Sequence, residues 1–303
     1  HSWRGSIVFQ GSLVALVTPF DGNNRVDFAS LKRLVEFHVE QGSNALVITG
    51  TTGESPTLRR SEHIELVGRA LEIADGRIPI LAGTGSNSTF QSIELSKAVA
   101  DPRLSAYMAV VPYYNKPTQE GLFRHFSAIA DAVDKPLLLY NVPGRTVADM
   151  LPETVARLAA HPNIFGVKEA TGDIARLKAI QALVDDEFML YSGDDFTALP
   201  FIGQGGHGVV TVSGNVAPRQ LAELCRLAMA GETDEAAALD ATLQPLNKRL
   251  FVESNPIPVK WAVSEMGLRE PHIRLPLTPY SSEHHEAMRA AIRTAGVDLE
   301  NNA

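Results

Sequence analysis

The sequence predicts an α/β protein, a TIM (β/α)8 barrel with a C-terminal helical appendage. Short apolar runs alternate with amphipathic helical patterns eight times in succession, and eight parallel strands close a barrel of this type. A doubly wound open sheet is disfavoured because no Gly-x-Gly-x-x-Gly fingerprint follows the first apolar run. The strand pattern ends near Gly231, so we expect a catalytic barrel domain over residues 1–231 and an α-helical domain over residues 232–303.

The predicted strands are short, apolar and bounded by turn residues, as is typical of strands buried in a parallel sheet. In order, they cover residues 13–19, 45–48, 78–82, 106–111, 136–140, 164–168, 188–192 and 209–212. Apolar residues recurring with the helical period predict the connecting helices. These cover residues 28–41, 61–74, 89–100, 119–132, 152–160, 174–184 and 218–230, with a short helix before the eighth strand. The tail predicts helices over 233–250, 259–266 and 282–295.

Composition argues against several classes of function. The net charge of −8 and pI near 5.6 disfavour nucleic acid or an anionic membrane as the main partner, because the chain carries no basic stripe. No apolar run approaches the roughly eighteen residues that span a bilayer, and the start shows no signal-peptide pattern. The single cysteine, Cys225, cannot form an internal disulfide, which favours a reducing cytoplasm as the location.

The most informative stretch is residues 164–173, in which an apolar run ends on Lys168. This pattern predicts an amine at the carboxyl end of the sixth strand, in apolar surroundings. Burial disfavours the ammonium form, so a lysine in such a place is suited to act as a nucleophile near neutral pH. Considered alone, Lys168 is better explained by extension into solvent or by pairing with Glu169.

Other polar residues also follow predicted strands, at the rim where active sites of this fold gather. They are Thr51, Thr52, Tyr114, Tyr140, Arg145, Gly193 and Asp194. Each has an ordinary structural explanation, but their shared position on one rim favours a site. Neither Asp194-Asp195 nor His284-His285 has the spacing of a zinc site, so we expect no metal and no cofactor.

These side chains suit Schiff-base chemistry on a 2-oxo acid. An iminium formed by Lys168 acts as an electron sink, so the neighbouring methyl group is able to lose a proton and become a nucleophile. Tyr140 is a candidate acid/base, and a hydroxyl chain through Thr52 to Tyr114 would move protons. The backbone amides of residues 50–53 form a candidate nest for the carboxylate.

Six short segments occur in order at the predicted strand ends and in the tail. They are residues 50–55, 112–115, 140–146, 168–172, 193–195 and 255–260. This series resembles the dihydrodipicolinate synthase family, and the resemblance runs from about Gly11 to the last helix. It implies condensation of pyruvate with L-aspartate 4-semialdehyde through a lysine Schiff base, giving 4-hydroxy-tetrahydrodipicolinate for diaminopimelate and lysine biosynthesis.

The resemblance also implies roles for individual residues. Lys168 would form the Schiff base, and the proton relay would consist of Thr52, Tyr114 and Tyr140. Substrate binding would fall to Thr51, Arg145, Gly193 and Val210, with Arg145 taking the semialdehyde carboxylate. The family resemblance further implies a homotetramer built as a dimer of dimers, in which Tyr114 reaches into the neighbouring subunit's site.

One departure from the family concerns its lysine-inhibited members, which bind lysine in a cleft at the dimer interface. The residues that match this cleft are Ser55, His63, Asn87 and Tyr113. Arg60 replaces a histidine, and Gln91 replaces the glutamate that would pair with the α-ammonium of lysine. Because the carboxylate is lost and a like charge is gained, we expect weak or absent inhibition by lysine.

Two alternatives remain open from the residues. N-acetylneuraminate lyase and sugar-acid aldolases share the barrel, the lysine and the tyrosine, and Arg145 is the residue that disfavours them. A non-catalytic barrel that binds 2-oxo acids would be expected to have an incomplete relay, whereas this sequence retains each member.

Overall fold

The computed structural model describes residues 9–299; residues 1–8 and 300–303, which include the start considered above, lie outside the described part. Eight parallel strands pair in chain order, and β8 pairs with β1 to close the barrel. The strands are β1 (Gly11–Ala15), β2 (Ala45–Ile48), β3 (Ile80–Gly83), β4 (Ala106–Val110), β5 (Leu137–Asn141), β6 (Ile164–Glu169), β7 (Met189–Ser192) and β8 (Gly208–Thr211). The predicted TIM barrel is therefore confirmed.

Helices follow the strands and continue beyond the barrel. They are α1 (Phe28–Gln41), α2 (Arg60–Ala74), α3 (Thr89–Ala98), α4 (Gln119–Ala132), α5 (Pro143–Thr146), α6 (Pro152–Ala159), α7 (Ile174–Gln181), α8 (Ala198–Gly203), α9 (Pro218–Met229), α10 (Thr233–Arg249), α11 (Ile257–Glu265) and α12 (His285–Thr294). The sequence pattern did not predict α5, because four residues are too few to show a helical period.

Local sequence explains where several helices begin. A side-chain oxygen at the N-cap accepts a hydrogen bond from a backbone N–H of the first turn, which would otherwise lack a partner. The N-cap residues that do this are Asp27, Ser88, Thr118 and Asp173. The strand predicted over residues 13–19 ends earlier, at Ala15, and Pro19 has no N–H to donate to a ladder.

Apolar side chains fill two layers. One lies inside the barrel and includes Leu13, Leu138, Tyr140, Phe165 and Val210. A larger layer lies between the strands and the surrounding helices. Successive side chains therefore alternate between the barrel interior and the helical layer, except at a register shift between β5 and β6.

The C-terminal helices follow the last barrel unit, where α10 contacts α8, α9 and α12. The predicted helical appendage is present, and the domain boundary at residue 231 stays a prediction. Over residues 9–299, every helix is too short or too polar to cross a membrane.

Candidate active site

Lys168 and Tyr140 lie side by side at the mouth of the barrel. They are register partners on β6 and β5, and both are 6% exposed. The Lys168 Nζ lies 3.8 Å from the centroid of the Tyr140 ring. Glu169, the sequence neighbour of Lys168, instead accepts hydrogen bonds from Asn141. The contacts thus favour a buried amine in the mouth over a lysine that extends into solvent or pairs with Glu169.

Gly193 packs directly against Lys168. Its N–H donates to the Glu169 carbonyl oxygen at 2.8 Å, and a Cβ added at Gly193 would lie 3.1 Å from Lys168 Cε. A side chain at this position would therefore crowd the lysine. Val210 is buried in β8 and belongs to the same interior cluster as Tyr140.

Thr51 and Thr52 lie in a tight loop after β2. The Ser55 N–H donates to the Gly50 carbonyl oxygen at 3.2 Å, which closes the loop. Thr52 is 3% exposed, and its Oγ1 accepts a hydrogen bond of 3.0 Å from Asn255 Nδ2. The anion nest in this loop and the substrate contact of Thr51 stay predictions.

Arg145 lies on α5, close to the same asparagine. Its Nη2 donates to the main-chain oxygen of Asn255 at 3.3 Å. Asn255 thus contacts both Thr52 and Arg145, although it is 110 residues distant from Arg145 in the sequence. Its segment is one of the six that carry the family resemblance, and sequence reasoning did not assign it a contact with the site.

Tyr114 does not join this group within one chain. Its side chain is 86% exposed, and its backbone has a φ of +79°, a left-handed conformation that is uncommon outside glycine. Its N–H donates to the Thr146 carbonyl oxygen at 3.4 Å, so the residue is held beside α5 while its ring extends from the surface. The relay through Tyr114 stays a prediction that requires a second copy of the chain.

A cavity of about 650 Å³ borders the site. It is lined by Thr51 and Arg145 on one side and by Ser55, Arg60, His63, Gln91 and Tyr113 elsewhere. Asn87 lies next to it and donates to the Tyr113 carbonyl oxygen at 3.2 Å. Burial lowers the pKa of His63, so that side chain adds no positive charge near neutral pH. The structure therefore brings the residues of the predicted lysine cleft together around one space.

A buried ion pair supports the loop that carries Thr51 and Thr52. The Glu54 carboxylate accepts from Lys260 Nζ on α11 and from the Arg274 N–H at 3.1 Å. Both side chains of the ion pair are at most 2% exposed. Sequence reasoning missed Glu54, because an acid in a predicted turn gives no sign that it will be buried.

Possible metal ligands are dispersed in the part of the chain that the structure describes. Within it, no group of three or more His, Cys, Asp or Glu side chains is placed to hold an ion. Asp195 instead accepts hydrogen bonds from Thr211 Oγ1 and from the N–H groups of Val212 and Ser213.

The fold and this mouth define a class of protein: a TIM barrel with a buried lysine beside a tyrosine at the ends of β6 and β5, as in class I aldolases. A sequence model described as the Dihydrodipicolinate synthetase family matches residues 8–295. The chain belongs to this family.

Similar proteins cover almost the whole chain. A 4-hydroxy-tetrahydrodipicolinate synthase of Pseudomonas savastanoi pv. phaseolicola is 55% identical over 287 residues, 95% of this chain and 98% of that protein. The chloride-inhibited dihydrodipicolinate synthase of Acinetobacter baumannii, solved in complex with pyruvate, is 49% identical with a TM-score of 0.93, over 96% of this chain and 100% of that one. A lysine-bound synthase of Cyanidioschyzon merolae is 39% identical with a TM-score of 0.92, over 95% of this chain and 99% of that one.

Proposed function

We propose that Lys168 carries the reaction of this family by forming a Schiff base with pyruvate. The chain is a lyase that condenses pyruvate with L-aspartate 4-semialdehyde to give 4-hydroxy-tetrahydrodipicolinate, a step of diaminopimelate and lysine biosynthesis. The single observation that supports the role of Lys168 is its burial in the barrel mouth, with Nζ 3.8 Å from the Tyr140 ring centroid.

The bonds made and broken follow from this assignment. The Lys168 nitrogen adds to the keto carbon of pyruvate, and loss of water leaves an iminium. The methyl carbon then loses a proton to give an enamine, which attacks the aldehyde carbon of the second substrate, and the aldehyde oxygen takes up a proton. Attack of the second substrate's amino group on the iminium carbon closes a six-membered ring and releases Lys168.

Each step requires a proton to move, and we assign this role to Tyr140. Its ring lies against the Lys168 amine, which supports a role for its hydroxyl as the acid/base for a substrate bound there. Thr52 would continue the relay, with its Oγ1 held by Asn255. Tyr114 would complete the relay from a second copy of the chain.

Two groups are suited to the carboxylates of the substrates. Arg145 offers a planar pair of N–H donors for the semialdehyde carboxylate. Thr51 and the loop amides beside it would bind the pyruvate carboxylate. Gly193 and Val210 would shape the space around the pyruvate, because Gly193 lies against Lys168 and Val210 belongs to the same interior cluster as Tyr140.

The proposal extends to partners and setting. Both substrates are small molecules, and the covalent bond to Lys168 takes the place of a cofactor. We further propose a homotetramer, a dimer of dimers, as the family resemblance implies, and the exposure of Tyr114 supports a contact with a second chain. The single, buried Cys225 supports a location in the cytoplasm.

The test is to trap the Schiff base with borohydride. Intact mass after incubation with pyruvate and borohydride should show one added reduced pyruvyl group, and peptide mapping should locate it on Lys168. Lys168→Ala should abolish the adduct and the activity, whereas Lys97→Ala, at an exposed lysine, should leave both unchanged. An adduct that persists in Lys168→Ala would overturn the assignment. Turnover of N-acetylneuraminate or a sugar acid in preference to aspartate semialdehyde would favour the related lyases.

A further inference from the structure

Behind the catalytic lysine lies a polar cluster that the proposed reaction does not use. Tyr140 and Lys168 form one register pair of β5 and β6, and Asn141 and Glu169 form the next. Since successive strand residues face opposite sides, Asn141 and Glu169 point away from the mouth, into the layer between strands and helices. Both side chains are buried, at 0% and 3% exposed.

Asn141 links three segments of the chain. Its Oδ1 accepts from the Met150 N–H at 3.0 Å, in the segment that follows α5. Its Nδ2 donates to Asp149 Oδ1 at 2.9 Å and lies 3.2 Å from each carboxylate oxygen of Glu169. An amide nitrogen has two hydrogens, so Asn141 is able to donate one to Asp149 and the other to Glu169.

The nearest cation, Arg176, binds Asp149 and not Glu169. Arg176, on α7, donates to both oxygens of Asp149, at 2.8 and 2.7 Å. Glu169 receives only the shared Asn141 amide and a weak 3.3 Å contact from the Thr171 N–H among its described hydrogen bonds. Burial raises the pKa of Glu169 to about 7, and the nearby Asp149 carboxylate adds to the shift. Asn141, Asp149, Glu169 and Arg176 are called the rear cluster below.

The rear cluster is joined to the reacting amine through the main chain. The Glu169 carbonyl oxygen accepts the Gly193 N–H at 2.8 Å, and Gly193 closely approaches both Lys168 and Ala170. A sideways movement of the β6 end would therefore move Lys168 relative to Gly193 and to the Tyr140 ring. Displacements of about 1 Å at a reacting centre are able to cost roughly a hundredfold in rate.

We propose that Glu169 is a positioning residue for the Schiff-base lysine, which acts by tying the end of β6 to Asn141 and the segment after α5. It touches no substrate. What matters is the length of its side chain and its hydrogen bonds to Asn141, so a neutral side chain of equal length should replace it. This inference rests on the proposed role of Lys168.

Two conservative variants test the length and the charge of the Glu169 side chain separately. Glu169→Gln keeps the length and loses the charge, whereas Glu169→Asp keeps the charge and withdraws the carboxyl group by one methylene. We expect Glu169→Gln to retain kcat within about threefold, and Glu169→Asp to lose about tenfold or more in kcat and in the rate of borohydride-trapped adduct formation. The KM for pyruvate should change little in either. Glu187→Gln, at an exposed glutamate, is the matched control.

Several results would overturn the inference. One is an equal kcat in the parent chain and in both variants. The others are an equal loss of kcat in both variants and a greater loss of kcat in Glu169→Gln than in Glu169→Asp. A fall in Tm with unchanged kcat would show a purely structural role and would also overturn it. Lys168→Ala is measured alongside. If Lys168→Ala still forms the adduct, the proposed function fails. If Lys168→Ala loses the adduct but Glu169→Asp keeps the kcat of the parent chain, only the positioning role of Glu169 fails.

Discussion

Lys168 and Glu169 are adjacent in sequence but lie in two different environments. Lys168 faces the barrel mouth and the Tyr140 ring, while Glu169 faces the helical layer. The charged groups around Glu169 are Asp149 from the segment after α5 and Arg176 from α7, besides Lys168 on its own strand. Because Arg176 is bound to Asp149, its charge only partly offsets the burial of Glu169.

The raised pKa of Glu169 predicts a specific pH dependence of stability. Its pKa rises from the ordinary 4.5 to about 7 on folding, so between these values the folded chain holds a proton that the unfolded chain has released. Stability is therefore lost as the pH rises through this window, by at most about 3 kcal/mol. Glu169→Gln removes the titration, so we expect the free energy of unfolding of the parent chain to fall relative to this variant between pH 5 and 7.

Denaturant unfolding of both proteins at several pH values measures this difference. Comparing the two chains is necessary because burial also raises the pKa of Asp195, which contributes a pH dependence of its own. A difference that stays constant from pH 5 to pH 8 would mean that Glu169 titrates near its ordinary value in the folded chain.

At the scale of elements, the loop after β2 is held from outside the barrel. Glu54 has a φ of +59°, and its buried carboxylate binds Lys260 of α11 and the Arg274 N–H. Burial lowers the pKa of Lys260, and the positive charge of Arg269 adds to the shift. The carboxylate of Glu54 opposes both effects and favours the ion pair. The C-terminal segment thus helps to place Thr51 and Thr52.

Replacing one partner of the Glu54–Lys260 ion pair should lower the free energy of unfolding more than replacing both partners. Lys260→Met leaves the Glu54 carboxylate buried without its cation, and we expect a loss of about 3–5 kcal/mol in the free energy of unfolding. In the double variant, Glu54→Gln with Lys260→Met, the buried charge is absent, so it should be more stable than Lys260→Met alone. Thermal and denaturant unfolding check the order, and a double variant less stable than either single variant would contradict it.

Sequence patterns predict the regular elements well and the contacts between distant segments poorly. The barrel follows from local apolar periodicity, and Lys168 from its place at a strand end. Asn255 is linked to Thr52 across 203 residues, and no local pattern encodes such a contact. Glu169 was considered only as a partner of Lys168, since adjacency in sequence does not reveal that strand alternation separates them.

At the scale of the whole molecule, the cavity beside the active site is the predicted lysine cleft. Arg60 contributes a positive charge to its lining, and Gln91 is a neutral amide where a carboxylate would bind an ammonium. We therefore expect millimolar lysine to inhibit little in a steady-state titration. Arg60→His combined with Gln91→Glu should increase inhibition, because it removes a like charge and restores an opposite one. Strong inhibition of the parent chain, or no gain in the double variant, would contradict this account.

The exposure of Tyr114 leads to a further prediction about the assembly. If Tyr114 completes the site of a neighbouring chain, Lys168→Ala and Tyr114→Phe should each be strongly impaired as pure proteins. When the two variants are co-expressed, a mixed dimer has one site with both defects and one site with an intact lysine and an intact tyrosine. Random pairing makes half of the dimers mixed, so activity should recover to about a quarter of the parent value.

Recovery of activity in the mixed dimers shows whether Tyr114 serves the site of its own chain or that of the neighbouring chain. If Tyr114 served its own chain, each site of a mixed dimer would carry one defect, and mixing would restore nothing. The measurement is the specific activity of the co-expressed mixture, with each pure variant as a control. Mixed dimers separated by differently tagged chains should reach about half of the parent value, because one of their two sites is intact. Activity no higher than that of the pure variants would place Tyr114 in the site of its own chain, and its 86% exposure would then require a movement of the segment after β4.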